Sequence, residues 1–147
     1  MNVKAILAAK RRNLGGDIVS IEPTANLAAA AKLLSAHRIG AVVILGAGGR
    51  LAGILSERDI VRALSEQDAA ALDLSVGQVM TRNVATCTAD ESVSSIMERM
   101  TAGKFRHMPV VIDGKLTGLI SIGDVVKQRV EEIESESEAM RDYIRTA

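Results

Sequence analysis

The sequence predicts an α+β protein built from two tandem β-α-β-β-α units packed as a pseudo-twofold pair, with an extended C-terminal helix. Three observations predict it. The chain repeats itself, each copy alternates short apolar runs with amphipathic stretches, and an apolar seam of helical spacing continues past the second copy. At a slide of 66 residues, PTANLAAAAKLL (23–34) lies over ADESVSSIMERM (89–100). At a slide of 65, GRLAGILSERDIV (49–61) lies over GKLTGLISIGDVV (114–126). Six columns of that second pair are identical: Gly49/Gly114, Leu51/Leu116, Gly53/Gly118, Ser56/Ser121, Asp59/Asp124 and Val61/Val126. The extra residue falls where GAGG (46–49) meets IDG (112–114), a Gly-rich turn of the kind in which hairpins absorb length changes. Self-similarity at a fixed period marks a duplicated structural unit.

Within each copy the elements follow one order. A short apolar strand comes first, Ile18–Ile21 or Val84–Cys87. An amphipathic helix follows over roughly 25–37 and 91–102, with Thr24 and Asp90 as its expected N-caps. Two apolar strands come next, Ala41–Leu45 with Leu51–Leu55 and Met108–Ile112 with Leu116–Ile120, joined as hairpins by Gly-rich and Asp-Gly turns. Each copy closes with a helix that starts just after Ser56 or Ser121. One such unit has too small a core to stand alone, so the copies are expected to pack on each other. Almost wholly apolar strands imply sheets covered on both faces.

The expected division is an N-terminal turn (1–16), a first unit (17–66), a connector (67–82), a second unit (83–130) and a helical extension (131–147). A short helical turn is expected at Ser75–Met80 in the connector, with its equivalent over residues 3–9 before the first copy. In the last helix, Val126, Val130, Ile133, Ser137, Met140 and Ile144 are spaced 4, 3, 4, 3 and 4, a heptad-like seam with one polar interruption. The helix either lies on its own domain or mediates contact with a second chain.

Composition removes several functions. Lys+Arg and Asp+Glu are both 18, so nothing draws the whole molecule to a polyanion or an anionic membrane. Residues 131–147 carry six acids and two bases, which leaves a mildly basic body of 16 bases against 12 acids. Phe105 and Tyr143 are the only aromatic residues, too few for a base-stacking platform, and this argues against nucleic acid. Cys87 is the sole cysteine, so an internal disulfide and a cysteine-based zinc site are excluded. The basic residues at the start follow a short apolar stretch, the wrong order for a signal peptide, and no apolar run reaches spanning length. A soluble, cytoplasmic protein is expected. The run Lys10-Arg11-Arg12 reads as a solvated turn, and Met80, Met97, Met100 and Met108 read as packing residues.

The repeated motif Gly-h-h-Ser-x-x-Asp (h, apolar) spans Gly53–Asp59 and Gly118–Asp124. Its plain reading is a helix-capping box, in which the Ser oxygen accepts from the backbone and the Asp reaches back. Two features point further. A Gly weakens the strand unless something must come close to its backbone. Asp also recurs where Glu or Gln would cap equally well. A carboxylate in a first helical turn suits the vicinal hydroxyls of a ribose, and a helix N-terminus suits phosphate.

On these residues the chain resembles tandem CBS domains, the cystathionine-β-synthase-type pair called a Bateman module. The resemblance covers about residues 17–130. It rests on both motif copies, on IGAVVI (39–44) and RHMPVV (106–111), and on SERDIVRAL (56–64) and VMTRNVATC (79–87), which are similar to small stand-alone bacterial members. It implies two clefts between the copies for adenosine-containing ligands: AMP, ADP, ATP or NAD, with S-adenosylmethionine ranked below them. One cleft would use Ser56, Arg58 and Asp59, faced by Arg106, His107 and Met108 and by backbone near Arg82–Val84. The other would use Ser121 and Asp124, faced by Ile39, Gly40, Ala41 and the stretch Gly16–Ile18. Arg58 and Arg106 favour the more phosphorylated ligand in the first cleft. His107 is read either as a neutral packing residue or as a phosphate contact. No nucleophile with its base, metal cluster or convergent carboxylate pair is legible, so the expectation is a non-catalytic regulatory module for signal transduction that needs no metal. It would act as a homodimer on a separate effector protein. The competing expectation is a dimerisation or interaction module whose clefts stay empty.

Overall fold

A computed structural model describes residues 1–14 and 18–146, with the side chains of residues 12–14 left aside. Arg12, Gly16 and Asp17, which the sequence placed in a basic turn and a cleft wall, lie outside the described residues or side chains. The elements run α1 (Val3–Leu14), β1 (Ser20–Ile21), α2 (Leu27–His37), β2 (Ala41–Leu45), β3 (Leu51–Ser56), α3 (Glu57–Gln67), α4 (Val76–Val79), α5 (Val93–Gly103), β4 (His107–Ile112), β5 (Lys115–Ser121) and α6 (Ile122–Thr146). The mixed α+β class and the long final helix match the sequence reading.

The residues group into two compact units. The first comprises Ile18–Thr86 and the hairpin tip Val111–Thr117. Its sheet has the order β1-β2-β3, with β1 parallel to β2 and β2 antiparallel to β3. Leu27, Ala30 and Leu34 from α2 pack with Val42, Ile44, Leu55, Ile60, Ala63, Val76 and Met80 in one apolar core. The second unit comprises Met1–Asp17, Cys87–Val110 and Gly118–Ala147. Its core joins Val3, Ile6 and Leu7 of α1 to Val93, Ile96 and Met100 of α5, together with Met108, Val110, Ile120 and Val125. Strands β4 and β5 pair as a two-stranded sheet.

Four local expectations change. The caps of α2 and α5 are Asn26 and Ser92, whose side chains accept from the backbone N–H of Ala29 and Ser95, so Thr24 and Asp90 stand two residues too early. Asn and Ser suit this position because a short oxygen reaches the third N–H of the helix. The strand expected at Ile18–Ile21 shortens to Ser20–Ile21. The one expected at Val84–Cys87 reduces to a single parallel bridge, Cys87 to Val110. Residues 3–9 form no isolated turn; they belong to a 12-residue helix.

That helix packs with the other copy. Asn2 bridges Ser92, the backbone N–H groups of Val3 and Lys4 donate to the carbonyls of Glu91 and Ala89, and Val93 N–H donates to Met1. In the first unit the short turn before the second copy does the same. Ser75 bridges Asn26, Leu27 N–H donates to Leu74 carbonyl, and Val76 N–H donates to Ala25 carbonyl. Each copy is therefore capped by the segment that precedes its twin. Val3, Ile6 and Leu7 repeat as Val76, Val79 and Met80, at a slide of 73 that differs from both slides of the copies themselves.

Candidate functional site

In the first unit, β3 ends at Ser56 and α3 begins at once. Ser56 has the extended backbone of an N-cap, and its hydroxyl accepts from Asp59 N–H at 3.3 Å. Asp59 Oδ2 in turn accepts from Ser56 N–H at 2.9 Å and from Ser56 Oγ at 3.1 Å. Asp59 Oδ1 faces Arg62 Nη1 at 3.5 Å. The carboxylate is almost wholly buried and Arg62 largely exposed. The capping box is thus complete, with one oxygen committed to it and the other directed at an exposed cation.

The second copy repeats the cap with a different partner. Asp124 Oδ2 accepts from Ser121 N–H at 2.8 Å, and Asp124 N–H donates to Ser121 Oγ at 3.2 Å. Lys10, from α1, brings its ammonium to 3.0 Å from Asp124 Oδ2 and donates to Leu119 carbonyl at 2.6 Å. The sequence reading missed two neighbours of the candidate carboxylates, Arg62 beside Asp59 and Lys10 beside Asp124. The signal for Lys10 was the match of Val3-x-x-Ile6-Leu7 with Val76-x-x-Val79-Met80, which places α1 beside the second motif.

The two motif glycines have internal neighbours. A Cβ on Gly53 would stand 2.7 Å from Met80 Sδ and 2.8 Å from Thr81 carbonyl, because Ile54 and Thr81 exchange backbone hydrogen bonds there. A Cβ on Gly118 would stand 2.5 Å from Leu7 Cδ2. The close approach that each Gly permits is made by the capping segment of its own unit.

The remaining site residues gather copy by copy. Glu57 N–H donates to Gly40 carbonyl at 2.9 Å, and Ala41 pairs with Ser56 across the ladder, so Ile39, Gly40 and Ala41 adjoin Ser56, Arg58 and Asp59. Ile122 N–H donates to Arg106 carbonyl at 2.8 Å, which sets Arg106, His107 and Met108 beside Ser121 and Asp124. The sequence reading had put these stretches on facing walls from different copies; within each unit they are neighbours along one edge. The side chains of Ala41 and Met108 are buried, leaving backbone as what those two positions can offer a ligand. Arg58 and Arg106 are exposed, and Ile18, Ile39, Val84 and His107 are half-buried.

An open apolar depression of about 360 Å³ lies between α2 and α3, lined by Ala31, Leu34, Ile39, Glu57, Ile60 and Val61 among others. Burial pushes the Cys87 thiol up to about 12, the opposite of what a nucleophile needs, and the Glu91 carboxylate adds to the shift. Among the described residues no group of three or more His, Cys, Asp or Glu converges on a point. No described helix is long and apolar enough to cross a membrane.

Comparison with known proteins bears on this arrangement. The CBS domain family matches residues 12–66 and again 76–131. A CBS-domain containing protein from Agrobacterium tumefaciens, ATU1752, is 46% identical, with a TM-score of 0.81 over 87% of this chain and 92% of that one. The CBS domain pair of protein MJ0100, solved in complex with 5'-methylthioadenosine and S-adenosyl-L-methionine, is 26% identical, with a TM-score of 0.76 over 90% of this chain and 98% of that one. The mitochondrial CBS domain-containing protein CBSX3 of Arabidopsis thaliana is 36% identical over 119 residues, 78% of this chain. The chain spans 58–64% of the length of the first curated relatives it matches.

Proposed function

Since the chain belongs to the CBS domain family, with two copies of the domain in tandem, we propose that it is a regulatory module that senses adenosine-containing ligands and catalyses no reaction. The observation that carries this reading is the duplicated carboxylate at the head of a helix, Asp59 and Asp124, each with its Ser cap and an adjoining strand edge. Ribose hydroxyls would donate to the carboxylate. The purine would lie against apolar residues, among Ile18, Ile39 and Val84 in the first unit, with backbone of Gly40 and Ala41 or of Met108 meeting its ring nitrogens. Arg58 near Asp59, and Arg106 and His107 near Asp124, would meet phosphate. The ligands proposed are AMP, ADP, ATP or NAD, and the adenosyl part they share with the molecules bound to MJ0100 is the part that the carboxylates address. The protein would work in the cytoplasm as a homodimer acting on a separate effector protein.

One observation favours a second reading, an interaction module with empty sites. Capping and the approach of Met80 and Leu7 already account for every residue of the motif. Thermal unfolding with and without each nucleotide separates the two. A ligand at 100 times its dissociation constant adds about 2.7 kcal/mol. Asp59→Asn with Asp124→Asn is expected to remove that shift while the ligand-free midpoint moves little. Absence of a shift with every adenosyl compound would leave the second reading standing.

A further inference from the structure

Helix α6 carries two stripes. Val125 and Gln128 are buried against the second unit, and Arg129 and Glu132, ion-paired at 3.2 Å, continue that stripe half-buried. The other stripe is the seam found in the sequence. Val126, Val130, Ile133, Met140 and Ile144 are 43–66% exposed, and from residue 133 to 146 every position of the helix is exposed. The seam is thus not used by the chain's own core.

We propose that this seam pairs with the same seam of a second copy as a parallel, in-register two-stranded coiled coil. The inference deepens the dimer part of the reading above and rests on it. Charge selects the occupant and its direction. With Val126, Ile133 and Met140 at d and Val130, Ser137 and Ile144 at a, the flanking positions are Lys127, Glu134 and Arg141 at e, and Arg129, Glu136 and Tyr143 at g. In a parallel pair each g residue meets the e residue five positions on in the other helix. Arg129 then meets the second copy's Glu134, and Glu136 meets the second copy's Arg141, and symmetry doubles both contacts. An antiparallel pair that overlaps the whole seam sets Glu134 against Glu134, Glu136 against Glu136 and Lys127 against Arg141. The helix is self-complementary in one direction and self-repelling in the other. Ser137, the one polar seam position, meets its own copy only in the parallel register.

The test uses the full chain in two variants. Ile144→Cys is expected to form a disulfide-linked dimer on mild oxidation, while the parent chain, whose Cys87 is buried, does not. An antiparallel pair that overlaps the whole seam would hold the two introduced thiols roughly 27 Å apart along the axis, half a seam to each side of its centre, at 1.5 Å per residue. Glu136→Lys and Arg141→Glu are each expected to weaken association several-fold, and the double variant to restore it. Light scattering of the parent chain separates the dimer from the coiled coil. A monomeric mass of 15.6 kDa at tens of micromolar overturns both the dimer and the coiled coil. A dimeric mass without cross-linking, or with association indifferent to the charge reversals, overturns the coiled coil and leaves the dimer intact.

Discussion

Asp59 and Asp124 occupy equivalent places and have unequal surroundings. The first faces an exposed arginine three residues along its own helix; the second is held by Lys10 from a different element. A ribose arriving at Asp124 would have to displace an ammonium that already donates both to the carboxylate and to Leu119 carbonyl. Lys10→Met is therefore expected to tighten adenosyl binding at Asp124 and leave Asp59 unaffected, as read by calorimetry on the variant beside Asp59→Asn. The ion pair is part-exposed, so its loss costs stability under about 1 kcal/mol. Cys87 gives a second residue-level expectation. Its thiol, ordinarily near 9 and raised to about 12 by burial, stays neutral in the folded chain. Its contribution to stability is complete below pH 9 and declines as pH climbs from there towards 12, because only the unfolded chain sheds the proton. Iodoacetamide at pH 8 should leave Cys87 unmodified in the native protein and alkylate it in urea; rapid native alkylation would contradict its burial.

Among the elements, the paired glycines predict an asymmetry. At Gly53 an added Cβ meets a backbone carbonyl as well as Met80, whereas at Gly118 it meets only the tip of Leu7, which can rotate away. Gly53→Ala is expected to cost about 1–3 kcal/mol and Gly118→Ala clearly less, by urea denaturation. Equal losses would show that the Thr81 contact is soft. The elements also show what was readable in the chain. β2, β3, β4, β5 and the starts of α3 and α6 were legible because apolar runs bounded by Gly turns and a Ser-x-x-Asp cap are local signals. The caps of α2 and α5 were misplaced because Thr24-Ala25-Asn26 and Asp90-Glu91-Ser92 each offer two capping residues. What decides between them is the bridge from Ser75 or Asn2. The Val84–Cys87 strand failed because its apolar pattern is satisfied by one buried residue, Cys87, with a single bridge. Of the site, the carboxylates and their caps were readable from spacing. Lys10 was signalled only indirectly, by the match of residues 3–7 with 76–80, and the same-copy grouping not at all, since both depend on which segment crosses to which copy.

For the molecule as a whole, those crossed segments make the N-terminal helix part of the second copy's core. Ile6 is 2% exposed among Val93, Ile96, Met100, Met108, Ile120 and Val125. Ile6→Ala is expected to cost about 2–5 kcal/mol, as large-to-small changes in a packed core do. Hydrogen exchange should accelerate first in α5, β5 and the start of α6, with α2 and α3 following later. Early loss of protection in α2 would show that α1 supports the first copy instead.

The same crossing has a consequence for the order of events at the ribosome. Residues Leu27–Met80 hold their whole apolar cluster within one stretch of chain, so that cluster can close soon after it emerges. Val3, Ile6 and Leu7 leave the exit tunnel first and must wait for Val93 and beyond. Close to ninety residues separate Ile6 from Val93, and at roughly 5–20 residues per second the delay is on the order of 5–20 s. Through that interval the helix that carries them stays in solvent with its apolar face uncovered, the kind of transiently exposed surface on which chaperones take hold of a nascent chain.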